Sequence, residues 1–117
     1  MARRRTYMGR STQGDTPNWE PLVELVGELV TGDFMWMFEV ELENGTPLQA
    51  YKHVDTRRYV HLDPDGRAFV FESPDRYRPV PVADVLAAVF APLIGLAGVT
   101  ADQVSHSWAA VERLQRN

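Results

Sequence analysis

From Phe34 to Leu42, aromatic and aliphatic residues (Phe34, Trp36, Phe38, Val40, Leu42) alternate with Met35, Met37, Glu39 and Glu41. A period of two is the signature of a strand with two distinct faces, and no helix can use it. Asn44-Gly45 follows at once. Both residues tolerate the positive φ of a two-residue type I′ turn, so the pair predicts a hairpin. A second strand is expected over Leu48–Val54, and Asp55-Thr56-Arg57 turns the chain into a third over Arg58–Leu62. Asp63-Pro64-Asp65-Gly66 turns it again into a fourth over Arg67–Glu72, as expected of Asp, Pro and Gly in turns. Three consecutive hairpins make a four-stranded antiparallel β-meander.

Helical patterns flank these strands. Asn18 is placed to cap a helix whose Trp19, Leu22, Val23, Val26, Leu29 and Val30 form an apolar stripe, ending at Gly32. After a proline-rich connector over Ser73–Pro81, Val82, Val85, Leu86, Val89, Phe90 and Leu93 recur at helical spacing, with Pro92 set to end or kink that helix. Thr100 and Gln103 form a capping box for a last helix with Val104, Trp108, Val111 and Leu114 inward. The expected fold is therefore α+β: a four-stranded antiparallel β-meander with one N-terminal and two C-terminal helices, in the order α-β-β-β-β-α-α. Residues 1–15 are polar and glycine-containing, which predicts a mobile basic arm ahead of a single domain over residues 16–117.

A chain of 117 residues can bury enough surface to stand on one core without a metal or a disulfide. The absence of cysteine excludes a disulfide framework, thiolate metal sites and cysteine nucleophiles. No apolar run follows the basic N-terminus, so it does not read as a secretory signal, and a cytoplasmic protein is expected. The uncharged stretch Val85–Val99 is fifteen residues long, short of the ~20 a spanning helix needs, and reads as core.

Pairing outward from a two-residue Asn44-Gly45 turn sets Phe38 beside Tyr51 and Trp36 beside His53. A three-residue turn after Val54 then sets Tyr59 opposite His53 and His61 opposite Tyr51. One sheet face would gather Phe34, Trp36, Phe38, Tyr51, His53, Tyr59, His61 and Val70. The other would gather Met35, Met37, Leu48, Ala50, Val54, Val60, Leu62, Phe69 and Phe71, with Glu39, Glu41 and Lys52 among them. Both are too apolar for a sheet with one side in water. The first functional expectation is thus a non-enzymatic protein-interaction module, homodimeric or bound to another protein. Its interface candidates are Met35, Trp36 and Met37 on the sheet and Val82 and Phe90 on the following helix.

Two other classes follow from the charged and aromatic residues. Residues 1–10 carry four arginines and no acid, whereas residues 11–50 carry eight acids and no base. The arginine arm with Tyr51, His53, Arg57, Arg58, Tyr59, His61 and Arg67 has the makings of a nucleic-acid edge, although the acidic body would repel phosphate. The same Tyr51, His53, Tyr59 and His61 cluster could instead serve a small ligand or an enzyme, since imidazole titrates near neutrality. His53-Val54-Asp55 and His61-Leu62-Asp63 would bring two imidazoles to neighbouring strands, but no third ligand stands at a recognisable spacing, so no metal site is assigned. There is no Gly-x-Ser-x-Gly elbow, phosphate-binding loop, dinucleotide fingerprint or His-Glu-x-x-His. No cofactor, catalytic residue or membrane partner is assigned.

Overall fold

The computed structural model describes residues 5–93. Within it, six antiparallel strands close into a barrel in chain order: β1 (Tyr7–Ser11), β2 (Phe34–Leu42), β3 (Pro47–His53), β4 (Tyr59–Leu62), β5 (Ala68–Glu72) and β6 (Arg76–Val80). Helix α1 (Glu20–Thr31) lies between β1 and β2; α2 (Val82–Phe90) follows β6 and runs into a single 3-10 turn, Ala91–Leu93. The expected four-stranded meander with three helices is therefore incorrect for the described chain: there are two more strands, and the sheet is closed. The third helix expected from Thr100 onward, like Arg3 and Arg4 of the arm, lies outside the described residues.

The two unforeseen strands come from segments with weak alternation. Tyr7–Ser11, read as part of the arm, pairs with β2 through Gly9↔Leu42 and Ser11↔Val40, and with β6 through Tyr7↔Tyr77. At Gly9, between Tyr7 and Ser11 on its inward face, β1 carries no side chain, which leaves room for another: a Cβ there would lie 2.8 Å from both Tyr77 Cδ1 and Val40 Cγ1. The Tyr77 ring fills the space that a side chain of β1 would otherwise take. β6 falls in the supposed proline-rich connector. Pro79 belongs to the part of β6 past its pairing with β1, where a missing backbone donor is tolerated.

Register separates two cores. The β2–β3 turn has three residues rather than two: the Leu42 N–H donates to Thr46 O at 2.9 Å, and Gly45 takes φ 87°. A β-bulge between Trp36 and Phe38 adds a second offset, giving Trp36↔Tyr51 and Phe34↔His53 on one side of it and Phe38↔Ala50 on the other. The next turn is also longer than expected. The His53 N–H donates to Arg58 O at 3.0 Å, and Arg57 adopts φ 61°, so Tyr51 faces Val60 and Ala50 faces His61.

Phe34, Tyr51, Val60, Leu62 and Ala68 thus point outward and are covered by Leu22, Val26 and Val30 of α1 and by Val85, Leu86, Val89 and Phe90 of α2. Val40, Leu42, Leu48, Phe69 and Tyr77 point inward, joined by Tyr7 and Phe38. The expectation of two apolar faces stands, but the partition of residues between them does not.

Gly9→Ala tests the closure. The added methyl must displace the Tyr77 ring or Val40, so urea unfolding is expected to show a loss of roughly 1–3 kcal/mol, the range for overpacking a core. An unchanged midpoint would mean that β1 does not lie against Tyr77.

Candidate functional site

The cluster expected from Tyr51, His53, Tyr59 and His61 is divided by the sheet. Tyr51 and His53 face out, under the helices. The Tyr51 hydroxyl donates to Asn18 O at 2.6 Å and its ring stacks on Trp19 at 5.6 Å. Burial pushes its phenol well above the usual range. His53 Nδ1 accepts the backbone N–H groups of Asp55 (3.1 Å) and Thr56 (3.2 Å), and the ring packs edge-on with Phe34 and Phe90. An imidazole used this way is a turn cap, and protonating Nδ1 would break both bonds. With His61 on the opposite face, the two imidazoles cannot share a metal ion, and no group of three metal-ligating side chains occurs among the described residues.

Tyr59 and His61 face inward, where Phe38, expected on their face, is joined by the rings of Phe69, Phe71 and Tyr77, which the strand alternation did not group with them. Tyr59 stacks on His61 (5.7 Å, 16°), and Tyr77 meets His61 edge-on (5.4 Å, 64°). Phe71 meets Tyr77 at 5.4 Å, and Phe38 lies 6.2 Å from Tyr59 and 6.3 Å from His61. With Phe69 and Val70 these residues line a cavity of about 390 Å³ at the end where β4 begins, β5 ends and β6 begins. The volume lies at the lower end of the range for small-molecule sites, about 300–1,000 Å³. Phe71, 50% exposed, and the exposed Tyr59 give the cavity an apolar rim.

His61 is the polar centre of this cavity. It is only 6% exposed, and burial alone drives its imidazole down to about 4. It is therefore neutral at physiological pH, with one N–H donor and one acceptor nitrogen. No hydrogen bond to a described residue satisfies either atom. Its strand is held by the β4–β5 turn. The buried Asp63 carboxylate accepts the N–H groups of Asp65 and Arg67 and the Arg67 Nε–H, each at 2.9 Å. Asp63 is thus a buried hairpin clamp, and Arg67 is engaged with Asp63 and Asp65.

The remaining candidates are dispersed. Arg57 and Arg58 belong to the β3–β4 turn region. Phe90 is buried in the outer core, and Trp36 and Val82 are half-buried against it; Trp36 Nε1 donates to Gln49 Oε1 at 2.7 Å. Met35 and Met37, at 42% and 36%, are the exposed members of the interface set. Phe38, Phe69, Phe71 and Tyr77 were not grouped as a site by sequence reasoning. The signal that could have found them is the aromatic content of the strands once three-residue and four-residue turns are considered. Among the described residues no helix is long and apolar enough to cross a membrane. Comparisons with protein-family models, with curated proteins and with solved structures find no match for this chain.

The two histidines make stability depend on pH. Their folded pKa values lie below that of an unfolded histidine, by desolvation in both cases. Their contribution is therefore complete above about pH 6.5 and is lost as pH falls toward 4, where the unfolded chain binds protons that the folded chain refuses. For His61 the loss is on the order of 3 kcal/mol over that window. Urea unfolding between pH 7 and pH 4 is expected to show a shallower decline for His61→Phe than for the parent chain. Parallel declines would place His61 outside the buried aromatic cluster.

Proposed function

We propose that this chain is a non-enzymatic binding domain that takes a small apolar molecule into the His61 cavity. The observation that carries this reading is the cavity itself, walled by Phe38, Tyr59, His61, Phe69, Val70, Phe71 and Tyr77 and free of charged lining residues. Apolar walls supply affinity through area removed from water, and a sparse polar group supplies orientation. The mouth of a β-barrel is one of the places where such sites recur. Six strands enclose a narrow interior, here filled by Val40, Leu42, Leu48 and Phe69, so the ligand would occupy the open end rather than the axis.

Other features of the chain support this reading more than its rivals. Closure pairs β1 with β2 and β6, which leaves a partner strand only the edges at residues 34–38 and 78–80. Arg67, a member of the basic edge, is already paired with two carboxylates. Nothing in the cavity pairs an activated nucleophile with a base, which is why the proposal is binding and not catalysis.

The test is titration with N-phenyl-1-naphthylamine, a neutral probe whose fluorescence rises in apolar surroundings. The parent chain is expected to show saturable one-to-one binding. Phe71→Glu, which places a charge at the exposed rim, is expected to weaken it at least tenfold with little change in unfolding midpoint. Absence of saturable binding, or equal binding by the variant, would contradict the assignment of the site.

A further inference from the structure

We infer that the cavity selects an aromatic molecule of one or two rings bearing one uncharged hydrogen-bonding group, a phenol or an indole-type N–H, which pairs with His61. This inference rests on the proposed ligand-binding reading and narrows it to a chemical class.

Three observations lead there. The first is the geometry of the walls. Phe38, Tyr59, His61, Phe69, Phe71 and Tyr77 present rings at many inclinations, from 16° between Tyr59 and His61 to 64° between His61 and Tyr77. Aromatic rings attract one another in offset-stacked and edge-to-face arrangements, and a cavity bordered by both faces and edges offers a planar guest each of them. A saturated chain would gain the area burial without those contacts.

The second is His61. It is more than nine-tenths buried, lines the cavity, and makes no hydrogen bond to a described residue. Its ring nitrogens are not among the fully buried polar atoms without a partner, which among the described residues are Thr31 Oγ1 and His53 Nε2, so they keep access to the cavity that His61 lines. A guest with a hydroxyl or a ring N–H can take the place of water on those nitrogens, whereas a plain hydrocarbon would leave them unpaired. Sites built to hydrogen-bond a ligand group discriminate strongly against the analogue that lacks it.

The third observation is charge. None of the cavity-lining residues carries a charge at neutral pH, and the Lys52 ammonium is not part of the lining, so an ionised guest would lose its hydration with no counter-charge inside the cavity. An aromatic cage can also hold a cation over its rings. Here, though, the Lys52 ammonium already sits 5.7 Å from the centroid of Tyr59, and a second cation would meet it across that ring. The neutral guest remains.

The test compares four ligands by calorimetry or by chemical-shift titration of the whole chain: 2-naphthol, naphthalene, 2-naphthoate and 1-decanol. 2-Naphthol is expected to bind at least tenfold more tightly than each of the other three. In His61→Phe the advantage over naphthalene is expected to disappear while naphthalene still binds. If His61→Phe does not fold, the parent chain's ranking decides, with the His61 imidazole ¹⁵N shifts moving on addition of 2-naphthol. Equal binding of 2-naphthol and naphthalene overturns the hydrogen-bonding role. Tighter binding of 2-naphthoate overturns neutrality, and tighter binding of 1-decanol overturns aromatic selection. Each of those results leaves the cavity a binding site. Failure of all four ligands to bind the parent chain overturns the ligand-binding reading itself.

Discussion

Side chains alternate across a strand, so a slip of one residue in pairing sends every one of them to the opposite face. In this protein that parity is set at the β2–β3 hairpin. The three-residue turn closing on Gly45 and the bulge between Trp36 and Phe38 together determine which residues of β3 meet the helices and which meet the interior. Tyr51 goes outward beneath Trp19, and Ala50 goes inward. His61, paired with Ala50 and Phe69, follows it into the barrel.

The two sides of the sheet then solve different problems. Outside, α1 and α2 cover a surface of aliphatic and aromatic residues; Tyr51 is matched to the Asn18 carbonyl, His53 Nδ1 to the turn that follows it and Trp36 to Gln49, while His53 Nε2 and Thr31 Oγ1 are buried without a partner. Inside, aliphatic residues fill the barrel beside β1, where Gly9 lets the Tyr77 ring lie against the closing strand. At the other end the side chains are aromatic, and rigid rings leave a concavity where flexible chains would collapse into it. The same density that stabilises the closed end thus leaves an apolar cavity at the open one.

Much of the fold was legible in the residues. Alternation located β2 and most of β3, β4 and β5, and the apolar stripes located α1 and α2. What escaped were the segments whose side chains do not fill their own positions. β1 is nearly polar and relies on Tyr77 to occupy the space over Gly9; β6 is interrupted by Pro79. Both strands become favourable only through pairing that is remote in sequence. The site was half legible. Tyr59 and His61 were recognised as candidates, but Asn44-Gly45 specifies a hairpin without specifying two residues or three, and the bulge at Met37 has no local signature. That ambiguity placed them with Tyr51 and His53 instead of Phe69, Phe71 and Tyr77. Asp63 looked like a simple turn residue because its burial depends on how Arg67 and the turn's N–H groups close around it.

The central claim is that His61 lies inside an aromatic-lined barrel. Proton NOE spectroscopy of the His61 imidazole tests it most directly. The structure predicts cross-peaks to the rings of Tyr59 and Tyr77, whose centroids are 5.7 Å and 5.4 Å away. Cross-peaks to Tyr51 or Trp19 instead would mean that the strands pair in the unshifted register, and would contradict both the barrel interior and the cavity built on it.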